Sequence, residues 1–143
     1  MLSIKNILVP TDFSEGATHS LHYAAKFAHQ FGASIHLLHV VDVPAGLSLE
    51  AMLYSESENR ELPLQEYLDR LAQKNFEKLQ AYLKGQGVSS TVQSIAGTPH
   101  EAIVKNATEK NVDMIVMGTH GHTGLKHFFI GSTAERVVRF ADC

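Results

Sequence analysis

A single cysteine, Cys143, at the last position excludes a disulfide within the chain. That fits a reducing compartment. No apolar run approaches the roughly 18 residues needed to cross a bilayer. Residues 1–9 hold one lysine and a short apolar run that leads into Pro10. They lack the long apolar stretch and small-residue cleavage site of a signal peptide. Charge is sparse, at 19% of residues, and the formal net charge is −3. This mild balance gives no reason to expect nucleic acid or an anionic membrane as partner. Internal repeats and low-complexity tracts are absent. The expectation is a soluble, cytoplasmic protein. The 143 residues, 44% of them hydrophobic, suit one domain over residues 1–143 with a real core.

Short apolar runs alternate with helical periods. Ile4 to Val9, Ser34 to Val41, Val88 to Ile95 and Asp113 to Met117 read as strands. Near-continuous apolar character suits strands buried on both faces. Ala17, Leu21, Ala24, Ala25 and Ala28 mark a helix closed by Gly32. Leu64, Leu68, Leu71, Leu79, Tyr82 and Leu83 mark a long amphipathic one. Thr98-Pro99-His100-Glu101 and Ser132-Thr133-Ala134-Glu135 read as capping boxes that open two more. Residues 44–61 have no clear period and read as a long connection, with a helical turn around Leu49 to Tyr54 or a lid over a ligand. The order β-α-β-α-β-α-β-loop-α predicts an α/β fold, an open parallel sheet with helices on both faces.

In such sheets ligands bind beyond the carboxyl ends of the strands. Pro10-Thr11-Asp12 follows the first strand, Val40-Val41-Asp42 ends the second, and the segment from Gly118 to Thr133 follows the fourth. Gly118 and Gly121 permit close backbone approach and positive φ. Gly131-Ser132-Thr133 opens a helix, where unpaired N–H groups and the dipole favour phosphate. Lys126 and His120 can add charge or a donor. Neither a Walker A loop nor the dinucleotide pattern G-x-G-x-x-G occurs in its place. Asp12 is open to two readings, a ligand contact or a cap for the first helix. His120, His122 and His127 lack a nearby carboxylate or cysteine to complete a metal shell, so no metal site is assigned. His36 and His39 read as packed or edge histidines. No catalytic set is evident, so no residue is assigned as catalytic.

Gly118-Thr119-His120-Gly121, nine residues, then Gly131-Ser132 spells G-x2-G-x9-G-[ST]. With Lys5 to Ser14 (KNILVPTDFS) and His39 to Asp42 (HVVD), the chain resembles the ATP-binding class of the universal stress protein family over nearly its whole length. The resemblance implies a Rossmann-like fold of the adenine nucleotide α-hydrolase type. It implies that Asp12 contacts the ribose, that Pro10, Thr11 and Val40 line the adenine pocket, and that Met117 sits beside the nucleotide. Gly118, His120, Gly121, Gly131, Ser132 and Thr133 would hold ribose and phosphates, with or without Mg²⁺. It further implies a regulatory stress-response protein, a homodimer with a further protein partner still to be named. In the family a last strand, which Cys143 would begin, often pairs the two subunits. Two alternatives stand beside this reading: a slow ATPase or phosphotransferase, and a nucleotide-independent interaction module.

Overall fold

The computed structural model describes residues 2–120 and 130–143. Gly121, His122, Thr123, Gly124, Lys126 and His127 therefore lie outside the described residues.

Four parallel strands form the main sheet. They are β1 (Asn6–Pro10), β2 (Ser34–Val41), β5 (Ser90–Ala96) and β6 (Met114–Ile115), in the order β5-β2-β1-β6. β1 is central, pairing Ile7 with Ile35 on one side and with Met114 on the other. Ile7, Leu8 and Val9 are wholly buried, yet successive residues enter different cores. Ile7, Val9, Ile35 and Leu37 pack with Leu21, Ala24 and Phe76. Leu8 and Leu38 pack with Ile103, Ala107 and Val137. Both faces are covered, which is why β1 and β2 read as near-continuous apolar runs.

Helices α1 (Glu15–Phe31) and α2 (Leu64–Gly85) contribute to the first core. Helices α3 (Pro99–Glu109) and α4 (Ser132–Phe140) contribute to the second. α1 buries Ala17, Ser20, Leu21, Ala24, Ala25 and Ala28, mostly small residues. Small side chains let the helix axis lie near the sheet. α1 ends at Gly32, in the left-handed region at φ 66°.

Several expectations require correction. Residues 44–61 are not a structureless connection, and no helical turn forms at Leu49 to Tyr54. Met52–Ser55 (β3) and Arg60–Pro63 (β4) form an antiparallel hairpin, with Asn59 at φ 52° in its turn. Asn tolerates that conformation without glycine. In α2 the buried residues are Ala72, Phe76 and Leu83, and Leu71 is 47% exposed, so the apolar stripe enters the core only in its later turns. Gly131 caps α4 and Ser132 is its first helical residue, so the capping box read at Ser132 does not form. Thr98 caps α3 through its backbone alone: Ala102 N–H donates to its carbonyl, and its hydroxyl makes no cap bond. Among the described residues, no helix is long and apolar enough to cross a membrane.

Candidate functional site

The chain passes from β1 through α1 to β2, and from β5 through α3 to β6, and α1 and α3 pack into the cores on opposite faces of the sheet. Going one way from β1 leads to β2 and β5, going the other leads to β6. A crevice opens beyond the carboxyl ends at such a switch point. Here it measures about 390 Å³, within the range of small-molecule sites. Pro10, Thr11 and Asp12 line it from β1, and Val40 from β2. Met117, Gly118 and His120 line it after β6, and Gly131, Ser132 and Thr133 at the start of α4. Every sequence-predicted site residue that the structure describes thus meets in one place, and Gly121 lies outside the described residues. Leu38, Asp42, Pro99, Ile103 and Thr119 also line the crevice and were not singled out as contacts. Pro99 and Ile103 come from α3, whose start the sequence marked without tying it to the site.

The crevice has an apolar part and a polar part. Leu38, Val40, Ile103 and Met117 belong to the second core or pack against it. The polar part contains Asp12, Asp42, His120 and the N-terminus of α4. Among the described lining residues there is no lysine or arginine. An anion there would rest on main-chain N–H groups and the positive end of α4.

The turn after β1 is held by hydrogen bonds on several sides. Thr11 N–H donates to the Leu38 carbonyl at 2.8 Å, and the Thr11 hydroxyl accepts from Phe13 N–H at 3.0 Å. Asp12 Oδ1 accepts from Ser14 N–H at 2.9 Å, while Ser14 Oγ accepts from Ala17 N–H at 3.2 Å. Ser14, not Asp12, is the α1 cap. Asp12 braces the turn one step earlier and still faces the crevice. Phe13 adopts φ 62°, uncommon for a bulky residue. Its ring lies 4.6 Å from His39 and edge-on to Phe76 at 5.2 Å. His39 Nδ1 stands 2.9 Å from the Thr11 carbonyl, a bond in which the imidazole N–H donates. His39 therefore supports the turn from beneath. No local pattern in the sequence signals this, because its partners lie far along the chain.

The glycines act by proximity. A β-carbon on Gly131 would stand 2.7 Å from the Thr119 carbonyl oxygen, to which Gly131 N–H already donates. A β-carbon on Gly118 would come within 3.3 Å of the Gly16 backbone, and one on Gly16 within 3.0 Å of the His120 carbonyl. Gly118 does not take positive φ, so close approach to α1 is what its lack of a side chain permits. Gly16 is a further residue of this packing that sequence reasoning missed. His120 Nδ1 lies 2.9 Å from Thr119 Oγ1, and its buried Nε2 has no partner among the described residues.

His36 lies away from the crevice, on the second-core side of β2. Its ring nitrogens face Thr91 Oγ1 and Gln93 Oε1, and Asn106 Nδ2 also donates to Gln93 Oε1. Burial, then the Lys110 charge, lowers the His36 pKa below 6.5, against the bond to Gln93. The two strand histidines are thus hydrogen-bonded structural groups.

The sequence model of the universal stress protein family matches residues 3–143. The chain belongs to this family. Universal stress protein MJ0531 of Methanocaldococcus jannaschii is 34% identical over 97% of this chain and 78% of its own length. Universal stress protein MJ0577 of the same organism is 35% identical over 94% of this chain and 88% of its own. The solved structure of MJ0577 superposes with a TM-score of 0.81, covering 99% of this chain and 92% of that one. Two more distant universal stress proteins, each 18% identical, share the fold. One was solved in complex with cAMP (TM-score 0.66, 99% of this chain, 94% of that one). The other, from Archaeoglobus fulgidus, was solved with dAMP (TM-score 0.64, 99% of this chain, 94% of that one). The parallel sheet flanked by helices is the architecture of these universal stress proteins.

Proposed function

We propose that this universal stress protein is an ATP-binding regulatory protein of the stress response. Nucleotide lies between the Pro10–Asp12 turn and the segment from Gly118 to Thr133. The observation that carries the reading is the two-part crevice: an apolar end of base-binding character beside a helix N-terminus. Val40 and Met117, with Leu38 and Ile103, offer surface for adenine. Asp12 offers a carboxylate to the ribose hydroxyls. Gly131, Ser132 and Thr133 offer N–H and hydroxyl donors to phosphate, with Gly118, His120 and Gly121 completing the cradle. A triphosphate beside Asp12 and Asp42 needs a counter-charge. Mg²⁺ carried by the nucleotide supplies it. Relatives of the same fold solved with cAMP and dAMP support an adenine nucleotide as the ligand class.

The role is binding and signalling. Nucleotide orders the crevice segments and shifts the population of a surface that a protein partner reads, which requires differential affinity for the two states. A cytoplasmic location and a homodimer belong to the same proposal. Denaturing the purified chain and separating its small molecules tests the ligand: adenine nucleotide is expected in the released fraction. Phosphate release under single-turnover conditions tests the role. Bound ATP is expected to persist, and turnover absent from a Gly131→Ala control would convert the reading to that of an ATPase.

A further inference from the structure

The ladder between β1 and β2 stops one rung early, at the mouth of the crevice. In β2 the main-chain groups of successive residues turn to alternate neighbours. Ser34 N–H donates to the Lys5 carbonyl at 2.9 Å, and the Leu38 carbonyl accepts from Thr11 N–H at 2.8 Å. Ile35 N–H donates to the Ser89 carbonyl, and the Val41 carbonyl accepts from Gly97 N–H, both at 3.0 Å. Even-numbered residues of β2 therefore face β1, and odd-numbered ones face β5. The next rung of a regular parallel ladder would join Val40 N–H to the Thr11 carbonyl. Among the described residues that bond is not made. The carbonyl accepts instead from His39 Nδ1 at 2.9 Å.

The imidazole is held in place for this. Phe13, at φ 62°, lays its ring 4.6 Å from that of His39. Such a backbone persists where surrounding contacts over-determine it. The acceptor is a carbonyl, so Nδ1 carries the proton. Val40 N–H and C=O are left directed at the gap between the strand ends. Thr11, Asp12 and Val40 all line the crevice there, and His39 is not among the described lining residues.

We infer that His39 sets base selectivity by occupying the Thr11 carbonyl and so keeping the Val40 main chain free to read a 6-aminopurine. One N–H beside one C=O matches an acceptor beside a donor, as in adenine N1 and its 6-amino group. Guanine offers the reverse order, O6 and N1–H. With the ribose fixed at Asp12, guanine sets donor against donor and acceptor against acceptor. Groups left unpaired in this way reject the wrong ligand strongly. His39 touches no ligand atom in this scheme and is a positioning residue. The base it selects rests on the nucleotide proposal, whereas the open rung does not.

The test compares the full chain with His39→Leu and His39→Asn. Asparagine places an amide N–H₂ near the position of Nδ1, and leucine fills similar space without a donor. Amide hydrogen exchange is followed first, by NMR and without ligand. In His39→Leu the Thr11 carbonyl is freed for Val40 N–H. Val40 exchange is expected to slow about tenfold or more relative to Leu38, and to stay as in the parent chain in His39→Asn. Mere loosening of the turn would speed it. Unchanged or faster Val40 exchange in His39→Leu overturns the inference. Calorimetry with Mg²⁺ and ATP or GTP follows. His39→Leu is expected to lose about tenfold or more in ATP affinity, with GTP affinity changed less than about threefold. His39→Asn is expected to keep the parent selectivity. Equal losses for both nucleotides, or none, overturn the selectivity role. If the parent chain binds no ATP while Val40 exchange slows as expected, the nucleotide proposal falls and the open rung stands. Circular dichroism confirms the fold of each variant.

Discussion

A β-carbon at residue 131 meets the Thr119 carbonyl oxygen at 2.7 Å, and backbone cannot yield as a flexible side chain does. Gly131→Ala is expected to cost about 1–3 kcal/mol of stability, the usual range for overpacking. Urea unfolding measures that. The same displacement moves the start of α4, so ATP affinity is expected to fall by about tenfold or more, a loss of about 1.4 kcal/mol per factor of ten. Gly16→Ala, with 3.0 Å to the His120 carbonyl, is expected to do the same to a smaller extent. His36 makes a separate prediction about pH. Its pKa in the folded chain lies below the ordinary 6.5, through burial first and the Lys110 charge second. The unfolded chain then binds the proton more readily. Stability is full above pH 6.5, falls as pH drops through 6.5 towards the lowered value, and levels off below it. His36→Gln is expected to flatten that part of the stability–pH curve, read from urea midpoints between pH 5 and 7.5. An unchanged slope would remove His36 as the cause.

Helix α2 separates what periodicity reveals from what packing decides. The sequence stripe gives Leu71 and Leu79 equal standing. Phe76, which the stripe does not include, is 2% exposed and Leu71 is 47% exposed. Phe76→Ala is expected to cost about 3–5 kcal/mol and Leu71→Ala within about 0.5 kcal/mol. Denaturant unfolding of the pair checks the order, and equal costs would contradict the burial. The parallel strands and four helices were legible because each has a strong local signature: an apolar run, a 3.6 period, a closing glycine. The hairpin was not. Each of its strands has only four residues, Glu61 and Pro63 are poor strand formers, and no Asn-Gly or Asp-Gly turn announces it. Phe13 at positive φ was equally hidden, since a contact with Phe76 on a distant helix helps hold it there.

Across the whole molecule, the crevice is where residues far apart in the chain become neighbours. Asp12, Val40 and Gly118 were visible because each lies at or just beyond the carboxyl end of a strand, and strand ends in a parallel sheet converge by topology, while Gly131 was visible as the start of a helix. Gly16, His39, Pro99 and Ile103 were not, because their relation to the crevice depends on how helix and strand pack. A nucleotide that binds only the folded chain adds stability by mass action, about 2.7 kcal/mol at a hundredfold excess over Kd. A rise in Tm with ATP and Mg²⁺, smaller in Gly131→Ala, is the expected global readout. Isothermal titration calorimetry of the purified, nucleotide-free chain with ATP and Mg²⁺ tests the central claim most directly. Saturable one-site binding, weakened about tenfold or more by Gly131→Ala, is the predicted result. No saturable heat with ATP, ADP or AMP would contradict it.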